Sequence, residues 1–462
     1  MSTIMKSHLT GALVVSAVVL AAHAQQVPGK EQLERPIRDR VDSGMAIGIV
    51  VGVLEADGTR RTAAYGTAGP GAKPLSDKSV FEIGSITKVF TGTLLAEMAA
   101  RGALGIEDPA QTHAPEGMRL PTRGQKPITL VDLATHHTGL PRLPNNLAPA
   151  DPANPYADYT VERLRTFLQG HTLSRDIGER FEYSNLGTGL LGVLLANRTG
   201  ADYESLVRER ILAPLGMRMT GVQYSPAMTA ERAIGHSETG APAKGWDFDV
   251  LVGAGGLRSN LDDMLTFLDA NVGPPKSALE RAMRTAQQPR RDVGQDTRVG
   301  LNWLTRTVGQ NRIVWHNGGT GGFRTFIGFD PERQIGAVVL SNSAQGVDDI
   351  GFHLINAAVP LLPTPVRLKP EVLRRYAGVY EITPEFRIEV TVEDLRIYIR
   401  ATKQPRFEIF AQSETEFFVR AFEARIAFII ENGESTALIL RQGCGAARAE
   451  APLRPCPARQ SC

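Results

Sequence analysis

Residues 313–343 alternate strands with turns: IVWHN, the turn GGTGG, FRTFIGF, a turn at Asp330-Pro331, and IGAVVLSNS. Gly and Pro punctuate runs rich in β-branched and aromatic residues, an order that makes consecutive antiparallel strands. A similar piece lies far upstream. Residues 45–54 (MAIGIVVGVL) read as a buried strand, Glu55-Ala56-Asp57-Gly58 as a turn, and residues 60–65 as the returning arm of a hairpin. Between the two the pattern turns helical. A helix is expected from Ser85 to about Arg101, stopping at Gly102, and another over residues 261–271. Residues 186–197 (LGTGLLGVLLAN) are apolar all round and read as a buried helix. Residues 31–43 form a charged first helix with a sparse apolar stripe, and residues 128–141 a short one ending in Gly-Leu-Pro. The fold class expected is α+β: an antiparallel sheet flanked by helices, with a helical lobe inserted between the first hairpin and the later strands.

At 462 residues the chain exceeds one ordinary core, and ~150 residues per domain predicts two or three units. Residues 361–370 are rich in Pro and read as a linker between a domain at 25–360 and a second at 371–462. In the second, alternation returns in short runs at 377–382, 387–392, 396–401, 407–410, 416–419, 425–430 and 437–441. Such spacing predicts a small antiparallel barrel or sandwich. Residues 1–24 place Lys6 and His8 before the apolar run GALVVSAVVLAA and end in Ala22-His23-Ala24. This is the pattern of a secretory signal peptide cleaved after Ala24. The run is shorter than the ~20 residues of a membrane span, so no transmembrane anchor is expected after cleavage. The mature protein is then expected to be periplasmic or secreted. An oxidising compartment permits one disulfide among Cys444, Cys456 and Cys462, with Cys444–Cys456 the expected pair. A net charge of +2 without any Lys/Arg-rich run gives no footprint for nucleic acid.

The chemistry is concentrated in three short pieces. In FEIGSITKVFT, Ser85 and Lys88 stand three apart, which on a helix puts both on one face. Serine is a poor nucleophile until a base or a depressed pKa stands beside it, and Lys88 can supply that without any histidine. Taken singly, Ser-x-x-Lys is also the pattern of a solvated helix start. Next come Tyr183-Ser184-Asn185 before the buried helix, and His316-Asn317-Gly318-Gly319 on a strand. Separately, Tyr183 would read as a core tyrosine, Asn185 as an N-cap and His316 as a structural residue. His136 and His137 are adjacent, so a helix turns them apart, and no HExxH spacing occurs; no metal site is expected. GGTGG opens no helix and departs from dinucleotide and phosphate-loop patterns, and no cofactor is expected. No Gly-x-Ser-x-Gly elbow surrounds Ser85.

With the flanks LATHHTGLP, FEYSNLG, GAGGLRS and HNGGTGGFRTFIGF, the three pieces resemble the β-lactamase-like serine hydrolases. The branch is that of class C β-lactamases, D-alanyl-D-alanine peptidases, D-aminopeptidases and related esterases, and the resemblance covers about residues 30–350. It implies the β-lactamase/D,D-peptidase fold, with Ser85 as the nucleophile that forms an acyl-enzyme. Lys88 would hold the serine proton network. Tyr183 would be the general base of acylation and would help activate water in deacylation. Free tyrosine titrates near ~10, so this role requires a neighbouring ammonium that favours the phenolate. Asn185 is suited to a substrate amide, His316, Asn317 and Gly318 to substrate binding, and the backbone N–H groups of Ser85 and Gly319 to an oxyanion hole. The substrate implied is a small molecule: a β-lactam, a D-amino-acid peptide or an ester.

Two departures bear on that substrate. Where β-lactamases and many peptidases carry Lys-Thr-Gly, this chain has His-Asn-Gly, so the expected cation for a substrate carboxylate is His316, charged only in part at neutral pH. Class C enzymes carry a glutamine shortly after Gly-Leu-Pro; here Arg142-Leu143 follows. A carboxylesterase of the same fold is the alternative, and a non-hydrolysing penicillin-binding or scaffolding protein a further one. The last hundred or so residues (RRYAGVYEI, QPRFEIF, ETEFF) resemble the lipocalin-like β-domain appended to this family. It carries no catalytic constellation, and its expected roles are to cover an edge of the main domain, narrow the cleft or mediate association.

Overall fold

The computed structural model describes residues 29–453, apart from 367, 394–395, 420–423 and 443–444. The expected leader and all three cysteines lie outside the described residues. Eight strands form one antiparallel sheet in the order Arg60–Gly66, Gly48–Leu54, Ile335–Ser341, Arg324–Asp330, Asn311–Gly319, Leu304–Val308, Thr297–Val299 and Arg291–Gly294. The early hairpin thus joins the late strands through Gly48–Leu54 and Ile335–Ser341, with Val51 opposite Val339.

The sheet divides its residues by parity, as a pleat must. Val50, Val314, Ile327, Val338 and Leu340 enter one core with the helical lobe. Their neighbours Ile49, Val51, Ile313, Phe326 and Val339 enter a second core, closed by the helices Lys30–Asp42 and Asp348–Ile355. Gly52 has no room for a side chain, since a Cβ there would stand 2.7 Å from Leu265 on the helix Leu261–Val272.

At the centre of the larger core runs the helix Thr87–Ala100, entered through a 3-10 turn at Gly84–Ile86. Thr87, Thr91, Thr93 and Gly92 are poor helix formers, so packing must sustain it. Every residue from Thr87 to Met98 is buried, and Phe90 stacks on Phe267 at 4.0 Å. Each such aromatic or aliphatic side chain contributes roughly 1.5–3 kcal/mol by burial. The helix Asn185–Thr199 packs beside it, capped by Ser184, whose hydroxyl accepts the Gly187 N–H.

Beyond the Pro-rich segment, eight strands from Gly378–Thr383 to Gly445–Leu453 close into an antiparallel barrel, the last pairing with the first. That is one strand more than the alternation of the sequence shows. The extra strand, GAARAEAPL, has no β-branched residue to announce it. Tyr376, Tyr380, Ile397, Phe417, Phe428 and Leu438 fill the interior, as expected of a barrel of eight strands. The connecting segment is held at both ends: Leu362 N–H donates to Asp349 and Val366 N–H to the Ala411 carbonyl. No helix among the described residues is long and apolar enough to cross a membrane.

Candidate active site

Ser85 sits in the 3-10 turn that opens the central helix, against the end of the Asn311–Gly319 strand. Glycine makes that approach possible. A Cβ on Gly318 would lie 2.0 Å from the Ile83 carbonyl, and one on Gly84, whose φ is +52°, would lie 2.7 Å from the Gly319 nitrogen. Thr325 from the next strand donates to the same Ile83 carbonyl at 2.9 Å. The backbones of Ser85 and Gly319 are thereby brought side by side, as an oxyanion hole requires.

Lys88 is fully buried one turn further on. Its Nζ stands 3.2 Å from Ser85 Oγ, 2.9 Å from Asn185 Oδ1 and 2.6 Å from the Ala254 carbonyl. All three partners are neutral, and no carboxylate pairs with Nζ among the described residues. Burial, aided by the charge of Arg142, therefore holds the amine well below its ordinary pKa. Nζ donates to all three acceptors, Ser85 Oγ, Asn185 Oδ1 and the Ala254 carbonyl. The carbonyl comes from the GAGGLRS stretch, which also accepts from Thr91 at Gly253 and donates to Thr87 through the Leu257 N–H.

Tyr183 faces Ser85. Burial pushes its phenol up to about 12, and the Ser85 hydroxyl and the Arg142 charge offset this only in part. In the resting site burial thus favours the phenol over the phenolate expected of it. Lys88 Nζ lies 4.9 Å from the Tyr183 ring centroid and His136 4.7 Å, ring to ring. His136, at φ +60°, accepts the Ser184 N–H on Nδ1 at 3.1 Å, and its carbonyl accepts the Glu182 N–H. The expected helix over 128–141 is thus only Leu130–Ala134. The remainder of LATHHTGLP is a bracket for the tyrosine loop, and both histidines have partners in it, His137 taking the Gly178 N–H on its carbonyl.

His316 is buried on the same sheet face as the serine, its ring 6.3 Å from that of Tyr183. Desolvation brings its pKa down to about 3, so the cationic role expected of it at neutral pH is corrected: the imidazole is neutral. Nδ1–H donates to the Asn317 carbonyl at 2.6 Å, which leaves Nε2 as an acceptor. Asn317, one residue on, has the opposite parity. Its amide donates to Asp348 at 2.6 Å, at the start of the helix on the far side of the sheet, so its side chain is occupied there and not at Lys88 and Ser85.

Several residues in the site were not singled out by the sequence. Tyr156 receives the Asn185 amide at 3.1 Å and stacks on Phe248 at 4.6 Å, with Trp246 edge-on at 5.4 Å. Glu82 and Arg258 clamp the Trp246 backbone from both sides. Arg142 lays its guanidinium 5.1 Å from the Tyr183 ring centroid. Only the unusual Arg after Gly-Leu-Pro left a mark in the sequence; the aromatic residues come from loops without a motif.

Comparison with known proteins agrees with this geometry. The family described as Beta-lactamase matches residues 33–359, and a Domain of unknown function (DUF3471) matches residues 362–452. The D-alanyl-D-alanine-carboxypeptidase/endopeptidase AmpH of Escherichia coli (strain K12) is 30% identical over 380 residues, covering 76% of this chain and 97% of that one. Penicillin-binding protein 4* of Bacillus subtilis (strain 168) is 26% identical over 80% of this chain and 86% of its own. A class C beta lactamase from Rhodobacter sphaeroides superposes with a TM-score of 0.62 at 25% identity, covering 71% of this chain and 99% of that one. A penicillin-binding protein homologue from Pyrococcus abyssi, described as octameric, shares the fold over 90% of this chain and 99% of that one, with a TM-score of 0.66 at 22% identity.

Proposed function

The chain belongs to the Beta-lactamase family of serine hydrolases, and from that premise we propose an exported enzyme that acylates Ser85 with a β-lactam or a D-amino-acid-containing peptide and hydrolyses the ester. The observation that carries this reading is the buried Lys88 Nζ, 3.2 Å from Ser85 Oγ, whose lowered pKa favours the amine form that can take a proton. In the attack, the Ser85 proton passes to Lys88 Nζ as Oγ bonds to the carbonyl carbon. The oxyanion forms between the Ser85 and Gly319 N–H groups; each such donor is worth about 3–4 kcal/mol to the barrier. Tyr183, held as a phenol, donates its proton to the departing nitrogen and regains one from the Lys88 ammonium. Water then takes the place of the leaving amine and attacks the ester carbonyl; its proton passes through Tyr183 to Lys88 Nζ, which returns one to Ser85 Oγ as the acyl bond breaks. Asn185 holds a substrate amide, and neutral His316 accepts a hydrogen bond. Export rests on the pattern of residues 1–24.

The test is a chromogenic cephalosporin followed to completion, with mass spectrometry of the protein. Many turnovers indicate a β-lactamase, and a burst of one equivalent with a stable adduct on Ser85 indicates a peptidase that is trapped. The Ser85→Ala variant should show neither while unfolding at the same temperature. Turnover that survives Ser85→Ala removes the mechanism.

A further inference from the structure

Three basic side chains stand near Ser85, and they differ in how openly they face a ligand. Lys88 is buried, its Nζ enclosed by Ser85, Asn185 and the Ala254 carbonyl. Arg324, half-buried beside Gly319, donates Nη1 to the Thr320 and Phe323 carbonyls at 2.7 and 2.9 Å and lies in the fields of Glu238 and Asp348. Arg142 differs from both. It is exposed, and among the described residues its guanidinium has no carboxylate or carbonyl partner. Its backbone is nonetheless anchored: the carbonyl accepts the N–H groups of Asn185 and Leu186 at 3.0 and 3.3 Å. The side chain is thus fixed at its root, lies against the Tyr183 ring, and stands on the Asn185 and Tyr156 side of the nucleophile, across from the His316 strand.

We propose that Arg142 is the specificity-determining cation of the site, receiving a carboxylate that the substrate carries on the acyl part, beyond the amide held by Asn185. The inference rests on the hydrolase reading above and narrows its substrate class to peptides or acyl chains with an acidic group at that place. A planar guanidinium suits a carboxylate in two-point contact, which an ammonium does not reproduce. His316 is neutral, Lys88 is enclosed and Arg324 is tied in part to backbone carbonyls, whereas Arg142 is an exposed guanidinium beside Tyr183. An anionic acyl group would also be drawn in through a field that weakens with salt.

The test uses the whole protein and an isosteric pair, N-succinyl-D-alanyl-D-alanine and its neutral N-succinamoyl counterpart, which release the same D-alanine. Wild type should favour the charged member in kcat/KM by about tenfold or more, the scale of a hydrogen bond to a charged group. The ratio should fall to about one in Arg142→Gln and below one in Arg142→Glu. Arg142→Lys should keep part of it, and 0.5 M salt should shrink it in wild type alone. Because each ratio is taken within one protein, a loss of folded enzyme does not move it. A ratio unchanged in Arg142→Gln and Arg142→Glu overturns the anchor, even where the cephalosporin still acylates Ser85. Failure of wild type to react with either peptide or with the cephalosporin overturns the hydrolase reading and the anchor together.

Discussion

Tyr183, half-buried in the helical lobe, and Tyr380, buried in the barrel, are both tyrosines pushed up to about 12 by desolvation. Their surroundings differ. Tyr380 donates to the Tyr376 carbonyl at 2.9 Å and meets Ser435 Oγ at 2.8 Å, inside a shell of Phe417, Phe428 and Leu438. Its hydroxyl is spoken for by the Tyr376 carbonyl and Ser435, and Glu434 acts on it through charge alone. Tyr183 faces a serine that is bonded to the buried Lys88, with two neutral imidazoles on its flanks. A shifted pKa is therefore no mark of function in this molecule. A closed circuit of donors and acceptors makes a wall; one with a nucleophile left in it makes a site.

That contrast can be broken most directly by removing each hydroxyl. Tyr183→Phe should lower kcat on whichever substrate is turned over by about 10²- to 10⁴-fold, the usual scale of a general acid or base. Tyr380→Phe should leave kcat within about twofold and cost about 1 kcal/mol in denaturant unfolding. Equal effects on kcat would show that the two tyrosines are not distinguished as argued.

Glycines sharpen the same comparison at the next level. Gly318→Ala forces a Cβ against the Ile83 carbonyl and displaces Gly319 from Ser85, so kcat should drop about 10²- to 10³-fold, as for a lost oxyanion donor. Gly433, in a barrel turn at φ +84°, has open space around it. Its change to Ala should cost only the left-handed backbone, about 1–2 kcal/mol, with activity retained.

The smallest effect is a response to acid. His316 has a folded pKa of about 3 against 6.5 unfolded, so between those values the unfolded state binds the extra proton. Its contribution to stability is complete above pH 6.5 and is lost as pH falls towards 3, on the order of a few kcal/mol. His136 is shifted in the same direction, whereas residues 371–462 contain no histidine. Amide exchange, corrected for its intrinsic pH dependence, should therefore rise at residues 181–190 before it rises at 406–419 as pH drops from 6 to 4. Over pH 6–8 the KM should stay flat as far as His316 is concerned. A KM that climbs with the ordinary histidine titration would restore the cation.

Much of the architecture was legible because its signals are local. The hairpin at Gly48–Gly66, the strands around GGTGG and the apolar helices each declare themselves within a dozen residues, by period and by turn chemistry. The edge strand Arg291–Gly294, its neighbour Thr297–Val299 and the amphipathic helices Val161–Gly170 and Ala278–Gln287 went unread, their patterns being short or half-exposed. The barrel's last strand was missed because pairing with distant neighbours, not composition, makes GAARAEAPL extended. The resemblance carried by the three short motifs named Ser85, Lys88, Tyr183 and His316 as a set. The protonation state of that set came only with the tertiary structure. Whether Lys88 is an ammonium or an amine, and His316 a cation or an acceptor, depends on how much water reaches them and which charges stand opposite. Those are set by Ala254, Tyr156, Arg142 and the sheet behind them, residues far apart in the chain, and no local pattern records desolvation.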